Sequence, residues 1–322
     1  MVDETSDPQT IASLKDLQER SPHGESLRQI MGFYVPLALD LPSLRDKPEF
    51  MAEQVKATAS SGVTDVATAA DVYMQGRIKE GMATLGKNWQ FWGEEGDDAA
   101  ATALDPTKTH TLITDPIEGT NNFKRRIDDQ WGSVVSLIDN KTGEPVIGII
   151  AHPSQRRFYV GVKGGGAYVV DYDAEGNQTA FTLMAKSPEK PEFTYNNSPH
   201  FNEDLTGRVA RFHGLGEVKA TDELARSTVE IEGTTFVDPE SGALEAVRNR
   251  GTIYFKTSAE MAAVFTILNE VGGKVTDGNG NPWSLGINTL IAARTPEDHV
   301  YLKGLYDQTA TKVQSVGGDG GS

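Results

Sequence analysis

Asp115-Pro116-Ile117-Glu118-Gly119-Thr120-Asn121-Asn122-Phe123 is the stretch on which the reading of this chain turns. It follows directly on THTLIT, residues 109–114, whose β-branched and apolar residues predict a strand. Pro116 should break that strand and Gly119 permits close backbone approach, while two carboxylates three residues apart can converge on one side of the turn. Hard cations such as Mg2+ take oxygen ligands, usually one or two carboxylates together with water and substrate phosphate. The turn supplies Asp115, Glu118 and the carbonyl of Ile117, and the amides of Gly119 and Thr120 could cradle a phosphate oxygen where a helix start or nest follows. The competing explanation is an ordinary acidic turn, since Asp, Pro and Gly are the commonest turn residues.

Working outward, Ser133 to Ile138 and Val146 to Ile150 flank DNKTGEP, and Phe158 to Val162 and Ala167 to Val170 flank KGGG, so both pairs predict hairpins. Upstream lies Gly93-Glu94-Glu95-Gly96-Asp97-Asp98, after an aromatic cluster, Trp89-Gln90-Phe91-Trp92, expected to pack in the core. Asp71 closes TAAD at the start of a helix in which Met74, Ile78 and Met82 recur at i+4. An earlier amphipathic helix should begin near Glu25 and be ended or kinked by Pro36. Downstream, Ser258 is a candidate N-cap for a helix with Met261, Val264, Phe265 and Leu268 on one face, stopped by Gly272-Gly273 and followed by a short strand, Lys274 to Asp277. Glu260 falls in its first turn. Asp71 and Glu260 each have a purely structural explanation, because an acid near a helix N-terminus offsets the dipole. The order of helices, then mostly β, then mixed elements predicts an α/β protein of two layers sharing a cleft.

The chain has 322 residues and no cysteine, and 30 Lys+Arg against 46 Asp+Glu give a net charge of −16. That length accommodates one large or two moderate domains. Without cysteine there is no disulfide scaffold, thiolate metal site or cysteine nucleophile, which fits a reducing, cytoplasmic setting. The acidity disfavours nucleic acid as a partner. No apolar run approaches the ~20 residues of a membrane span. The histidines show no metal spacing, and no nucleophile elbow, Walker loop or dinucleotide fingerprint precedes a helix.

Taken together, the acidic segments resemble the lithium-sensitive, magnesium-dependent phosphatases typified by inositol monophosphatase, with fructose-1,6-bisphosphatase as a relative. TAAD ending at Asp71 is similar to the TxxD of that family, Gly93-Glu94-Glu95 to its GEE, and Asp115 to Phe123 to its DPIDGTxNF. Glu260-Met-Ala-Ala through Glu270-Val-Gly-Gly resembles its WDxAAG and EAGG, and KGGGAY its KGxGA turn. The resemblance implies a layered α-β-α-β-α sandwich of the sugar phosphatase type, and the composition along the chain divides it into three parts. Residues 1–24 would be a flexible N-terminal segment, 25–185 a metal-binding α+β portion, and 186–316 a C-terminal α/β substrate-binding portion after the Pro-rich KSPEKPE stretch. The resemblance also implies Mg2+-dependent hydrolysis of a small phosphate monoester, an inositol or sugar phosphate, by a homodimer. Glu94, Asp115 and the Ile117 carbonyl would hold one ion, and Asp115, Glu118 and Glu260 the other. Thr120 and Asp71 would activate a water, and the Gly119 and Thr120 amides would bind the phosphate.

The departures are specific. Glu118 stands where the family has aspartate, and Ala259 and Glu260 stand for Trp and Asp of WDxAA. Residues 209–255 match the substrate-recognition region of the family poorly. Two other readings therefore stay open: a catalytically altered or inactive homologue acting as a binding or regulatory protein, and a nucleotide 3′-phosphatase stacking its base on aromatic residues among Phe193, Tyr195, Phe201, Phe212, Phe236, Tyr254 and Phe255. Lys124-Arg125-Arg126 could neutralise a second acidic group on the substrate, or be a solvated basic turn.

Overall fold

The computed structural model describes residues 11–58, 64–100, 103–127, 131–184, 230–231, 234–235, 251–255, 261–287, 289–293 and 295–317. Its first helix, α1 (Leu14–Arg20), opens where Ser13 Oγ accepts from the Asp16 amide at 3.0 Å and buries Leu14 and Leu17. Residues 14–20, inside the stretch 1–24 expected to be flexible, form about two turns of helix that bury two leucines three apart on one face. Residues 1–10 lie outside the described part.

Helix α2 (Gly24–Leu44) continues past Pro36 and Pro42. Of the two outcomes expected at Pro36, a kink or an end, the end does not occur. A proline inside a helix costs about 3 kcal/mol by losing one hydrogen bond and crowding the preceding turn. Here the stripe of Leu27, Ile30, Met31, Tyr34, Val35, Ala38, Leu41 and Leu44 is buried on both sides of it. At roughly 1.5–3 kcal/mol per large apolar side chain, that burial wins.

A hairpin of β1 (Glu53–Thr58) and β2 (Thr64–Thr68) leads into α3 (Ala69–Thr84), where Thr68 and Asp71 form a capping box. The main sheet has seven strands in chain order: β3 (Trp89–Gly93), β4 (His110–Glu118), β5 (Gly132–Asp139), β6 (Glu144–His152), β7 (Arg157–Val162), β8 (Gly166–Tyr172) and β9 (Gln178–Leu183). Among the described strands of this sheet only β3 and β4 pair in parallel, and a short helix, α4 (Thr120–Arg125), lies between β4 and β5. Both expected hairpins are present.

Pro116 does not break β4 as expected. The register of β4 against β5 slips between Asp115 and Glu118, while β3 pairs with β4 only as far as Gly93 opposite Thr114. Among the described residues no strand pairs with β4 on its β3 side beyond Thr114, so Pro116 interrupts no ladder there, and proline is tolerated at such an edge or bulge.

Alternating residues of the sheet serve two cores. Leu112, Leu137, Ile147, Ile149 and Val160 pack with α2 and α3, whereas Ile113, Val134, Ile138 and Ile150 pack on the other face. That face is covered by α5 (Ala262–Glu270), followed by β13 (Lys274–Thr276), β14 (Thr289–Ala293) and α6 (Pro296–Gly317). Strand β12 (Gly251–Phe255) joins β14 and β13 in a second sheet, order β12-β14-β13, and a two-residue pair, β10 (Glu230–Ile231) with β11 (Thr234–Thr235), stands apart from both sheets. Helix α6 packs on the second sheet, so the layers read α-β-α-β-α. The expectation of one buried face on α5 is too narrow: every residue from Ala262 to Leu268 is buried, because the helix lies between two sheets. Gly148 and Gly161 let it approach, since a Cβ at Gly148 would stand 2.6 Å from the Ala263 carbonyl oxygen and one at Gly161 2.9 Å from the Ile267 Cα. Among the described residues, no helix is long and apolar enough to cross a membrane.

Candidate active site

Parallel strands set the site. Strands β3 and β4 pair as far as Gly93 opposite Thr114, with the Glu94 amide donating to the Thr114 carbonyl at 3.2 Å, so Glu94 and Asp115 follow directly on the last paired residues of the two strands. The ends of adjacent parallel strands are where α/β sheets leave a crevice for ligands. Asp115 is buried, and its Oδ1 accepts from the Ile117 amide at 3.0 Å, which folds the DPI turn back on itself. Gly119 has φ of 82°, a left-handed conformation that a side chain would strain, and from it α4 starts at Thr120. Glu118 is half-buried on the rim of that turn.

The helix α3 supplies the opposite wall. Asp71 is buried, with one carboxylate oxygen accepting from the Thr68 amide at 2.7 Å and the Thr68 hydroxyl at 2.6 Å. Its other oxygen lies 3.0 Å from the Thr120 hydroxyl, which also lies 3.0 Å from the Ile117 carbonyl oxygen. The capping box thus fixes Asp71 rigidly, and a hydroxyl 49 residues away in sequence meets it. Thr68 was not singled out from the sequence, although the T-x-x-D spacing of a capping box was its signal.

Asp71, Thr120, Ile117, Asp115 and Glu94 are brought to one end of the sheet, with Glu118 and Gly119 on the same turn. Glu260, Ser258 and Ala259 lie outside the described residues, as do Phe193, Tyr195, Phe201, Phe212, Phe236 and the KSPEKPE stretch; Tyr254 and Phe255 belong to β12. Two of the three basic residues after Phe123 are engaged elsewhere: Lys124 pairs with Glu53 at 2.6 Å and Arg126 with Asp46 at 2.7 Å. Trp89 and Trp92 pack in the cores on opposite faces of the sheet, as expected.

The donor set of Glu94, Asp115, Glu118 and the Ile117 carbonyl is all oxygen, the set that suits hard divalent cations such as Mg2+, Ca2+ and Mn2+. Among the described residues no three acid or imidazole side chains converge on one point, so closing a cage calls for a further ligand or for these side chains to draw in around the ion.

With that geometry in view, residues 43–316 match the family described as the inositol monophosphatase family. The chain belongs to the inositol monophosphatase family. It is 24% identical to inositol monophosphatase 2 of Saccharomyces cerevisiae over 234 residues, covering 70% of this chain and 73% of that protein. It is 24% identical to histidinol-phosphatase of Mycobacterium tuberculosis over 251 residues, covering 76% and 87%. In fold it resembles the extragenic suppressor protein suhB of Bartonella henselae, with a TM-score of 0.57 at 17% identity over 88% of this chain and 98% of that one. It also resembles an IMPase/NADP phosphatase complexed with Mg2+ and phosphate, with a TM-score of 0.53 at 16% identity over 86% and 94%. The names of these relatives are those of phosphoric monoester hydrolases, and members of the fold hold divalent metal ions.

Proposed function

We propose that this protein is a Mg2+-dependent phosphatase of small phosphate monoesters, an inositol or sugar phosphate, working at the carboxyl ends of β3 and β4. The observation that carries the reading is the Thr120 hydroxyl held between the buried Asp71 carboxylate and the Ile117 carbonyl. A hydroxyl has one proton to give. If it is given to Asp71, the lone pairs of Thr120 Oγ can accept the proton of a water in front of it, and Asp71 is the final base.

Glu94, Asp115 and the Ile117 carbonyl would hold one ion and Asp115, Glu118 and Glu260 a second. Bound there, the metal pair would supply an acidified water and neutralise charge on a phosphoryl group in transfer. The Gly119 and Thr120 amides would orient a phosphate oxygen. By the same family resemblance the enzyme would act as a homodimer in the cytoplasm.

The test is phosphate release from inositol, sugar, nucleotide and histidinol monophosphates, with Mg2+ and with chelator. Release from at least one ester that chelator abolishes is expected, together with a rise in melting temperature on adding Mg2+ to the metal-free protein. Folded protein without metal-dependent release from any member would overturn the reading in favour of a binding or regulatory homologue.

A further inference from the structure

We propose that Gln75 is a positioning residue for the metal site, holding the loop that carries Glu94 through a two-point clamp on the backbone of Glu95. Gln75 lies on α3 four residues beyond Asp71 and is buried. Its Nε2 donates to the Glu95 carbonyl at 2.8 Å, and its Oε1 accepts from the Glu95 amide at 2.8 Å. The second Nε2 hydrogen reaches Asp98 Oδ2 at 3.2 Å, and Asp98 Oδ1 accepts from Lys79 at 2.5 Å. Every polar atom of the side-chain amide that can bond to the loop does so, in the one orientation that matches donor to acceptor.

Gly93 completes the arrangement. A Cβ there would stand 2.3 Å from Cδ of Gln75 and 2.4 Å from its Oε1, so the Gln75 amide occupies the space a side chain would need. Glu94 is therefore bracketed. Its own amide is tied to the carbonyl of Thr114, the residue before Asp115, and the following residue is held at both its amide and its carbonyl by Gln75. One rigid helix thus fixes both the Asp71 carboxylate against Thr120 and the Glu94 loop against the end of β4. Groups that orient a ligand without touching the ion are worth roughly 10–100-fold in metal affinity.

This inference rests on the proposed role of Glu94 as a ligand, and the experiment separates the two. Gln75→Leu removes the clamp. Gln75→Glu keeps its shape but cannot donate to the Glu95 carbonyl and sets a carboxylate beside Asp98. Calorimetric Mg2+ titration without substrate, melting temperature in chelator, and steady-state rates would be measured for both, with Glu94→Gln as the reference. The expected result is a Mg2+ concentration for half-saturation raised about tenfold or more in both Gln75 variants, within the 10–100-fold range above. Adding Asp98→Asn to Gln75→Glu should recover part of the loss by returning a donor to the cluster. A half-saturation within twofold of wild type in folded Gln75→Glu, with Glu94→Gln raised, would overturn the inference and leave Gln75 a purely structural residue that lowers only the melting temperature. An unchanged half-saturation in Glu94→Gln would instead overturn the ligand role of Glu94.

Discussion

Asp71 is an acid whose two oxygens face different partners, and the difference dictates how its amide variant behaves. In Asp71→Asn the remaining oxygen should turn to the Thr68 amide and hydroxyl, which are both donors, leaving the new NH2 against the Thr120 hydroxyl. The helix cap survives but the proton acceptor is gone. We therefore expect kcat to fall by roughly 10²–10⁴ with little change in KM or unfolding free energy, and Thr120→Val to do the same. The double variant should cost little more than either single one, since the two groups act as a relay; steady-state kinetics on all three would show independent, additive losses if they do not. The pairing was legible in the sequence because TAAD and the DPIEGT turn each carry a recognisable pattern. Gln75 was not, because its partners are backbone groups 20 residues away and leave no residue-type signature. Glu118 stays an exchange of Asp for Glu whose reach depends on the turn around it. If that turn has adapted to the longer acid, Glu118→Asp should weaken Mg2+ binding and turnover together, whereas a spoiled site should gain activity from the same change.

Among the elements, α5 shows how two glycines decide the spacing of the layers. An alanine at Gly148 would push its Cβ into the Ala263 backbone at 2.6–2.7 Å, where no side-chain rotation offers relief. Overpacking of this kind costs about 1–3 kcal/mol. Gly76 and Gly32, on exposed faces of α3 and α2, have nothing within 4 Å of the same position, so alanine there should stabilise by about 0.4–1 kcal/mol. Denaturant unfolding of the three alanine variants should thus give opposite signs, and a neutral Gly148→Ala would mean that α5 does not sit as close to β6 as described. Sequence periodicity found this helix and both hairpins, but not that α5 is buried all round. One-sided amphipathicity is the signal of a helix on one sheet, and a helix between two sheets erases it. The prolines of α2 misled for a related reason: local propensity assigns them a cost, while the stripe that outweighs it is a property of the packed core.

For the whole molecule, an excess of 16 negative charges sets the background against which any single titration must be read. His299, at the start of α6, is buried, and its Nε2 lies 2.8 Å from the Thr276 hydroxyl on β13. Burial, and then the positive charges of Lys274 and Lys303, hold its pKa below the ordinary 6.5. The native state consequently binds fewer protons than the unfolded chain as pH falls through 6.5. The contribution of His299 to stability is complete above about pH 6.5 and is lost progressively below it, with a slope of at most about 1.4 kcal/mol per pH unit. Protonation over the same interval also relieves repulsion in an acidic protein, which pulls the other way, so the wild-type curve alone does not isolate the histidine. The difference between wild type and His299→Gln does, because the glutamine can still bond to Thr276 but does not titrate. Urea unfolding at intervals from pH 5 to 8 should show the variant gaining on wild type below pH 6.5 and running parallel to it above. Curves parallel throughout would mean that the imidazole keeps its ordinary affinity for protons where α6 meets the second sheet.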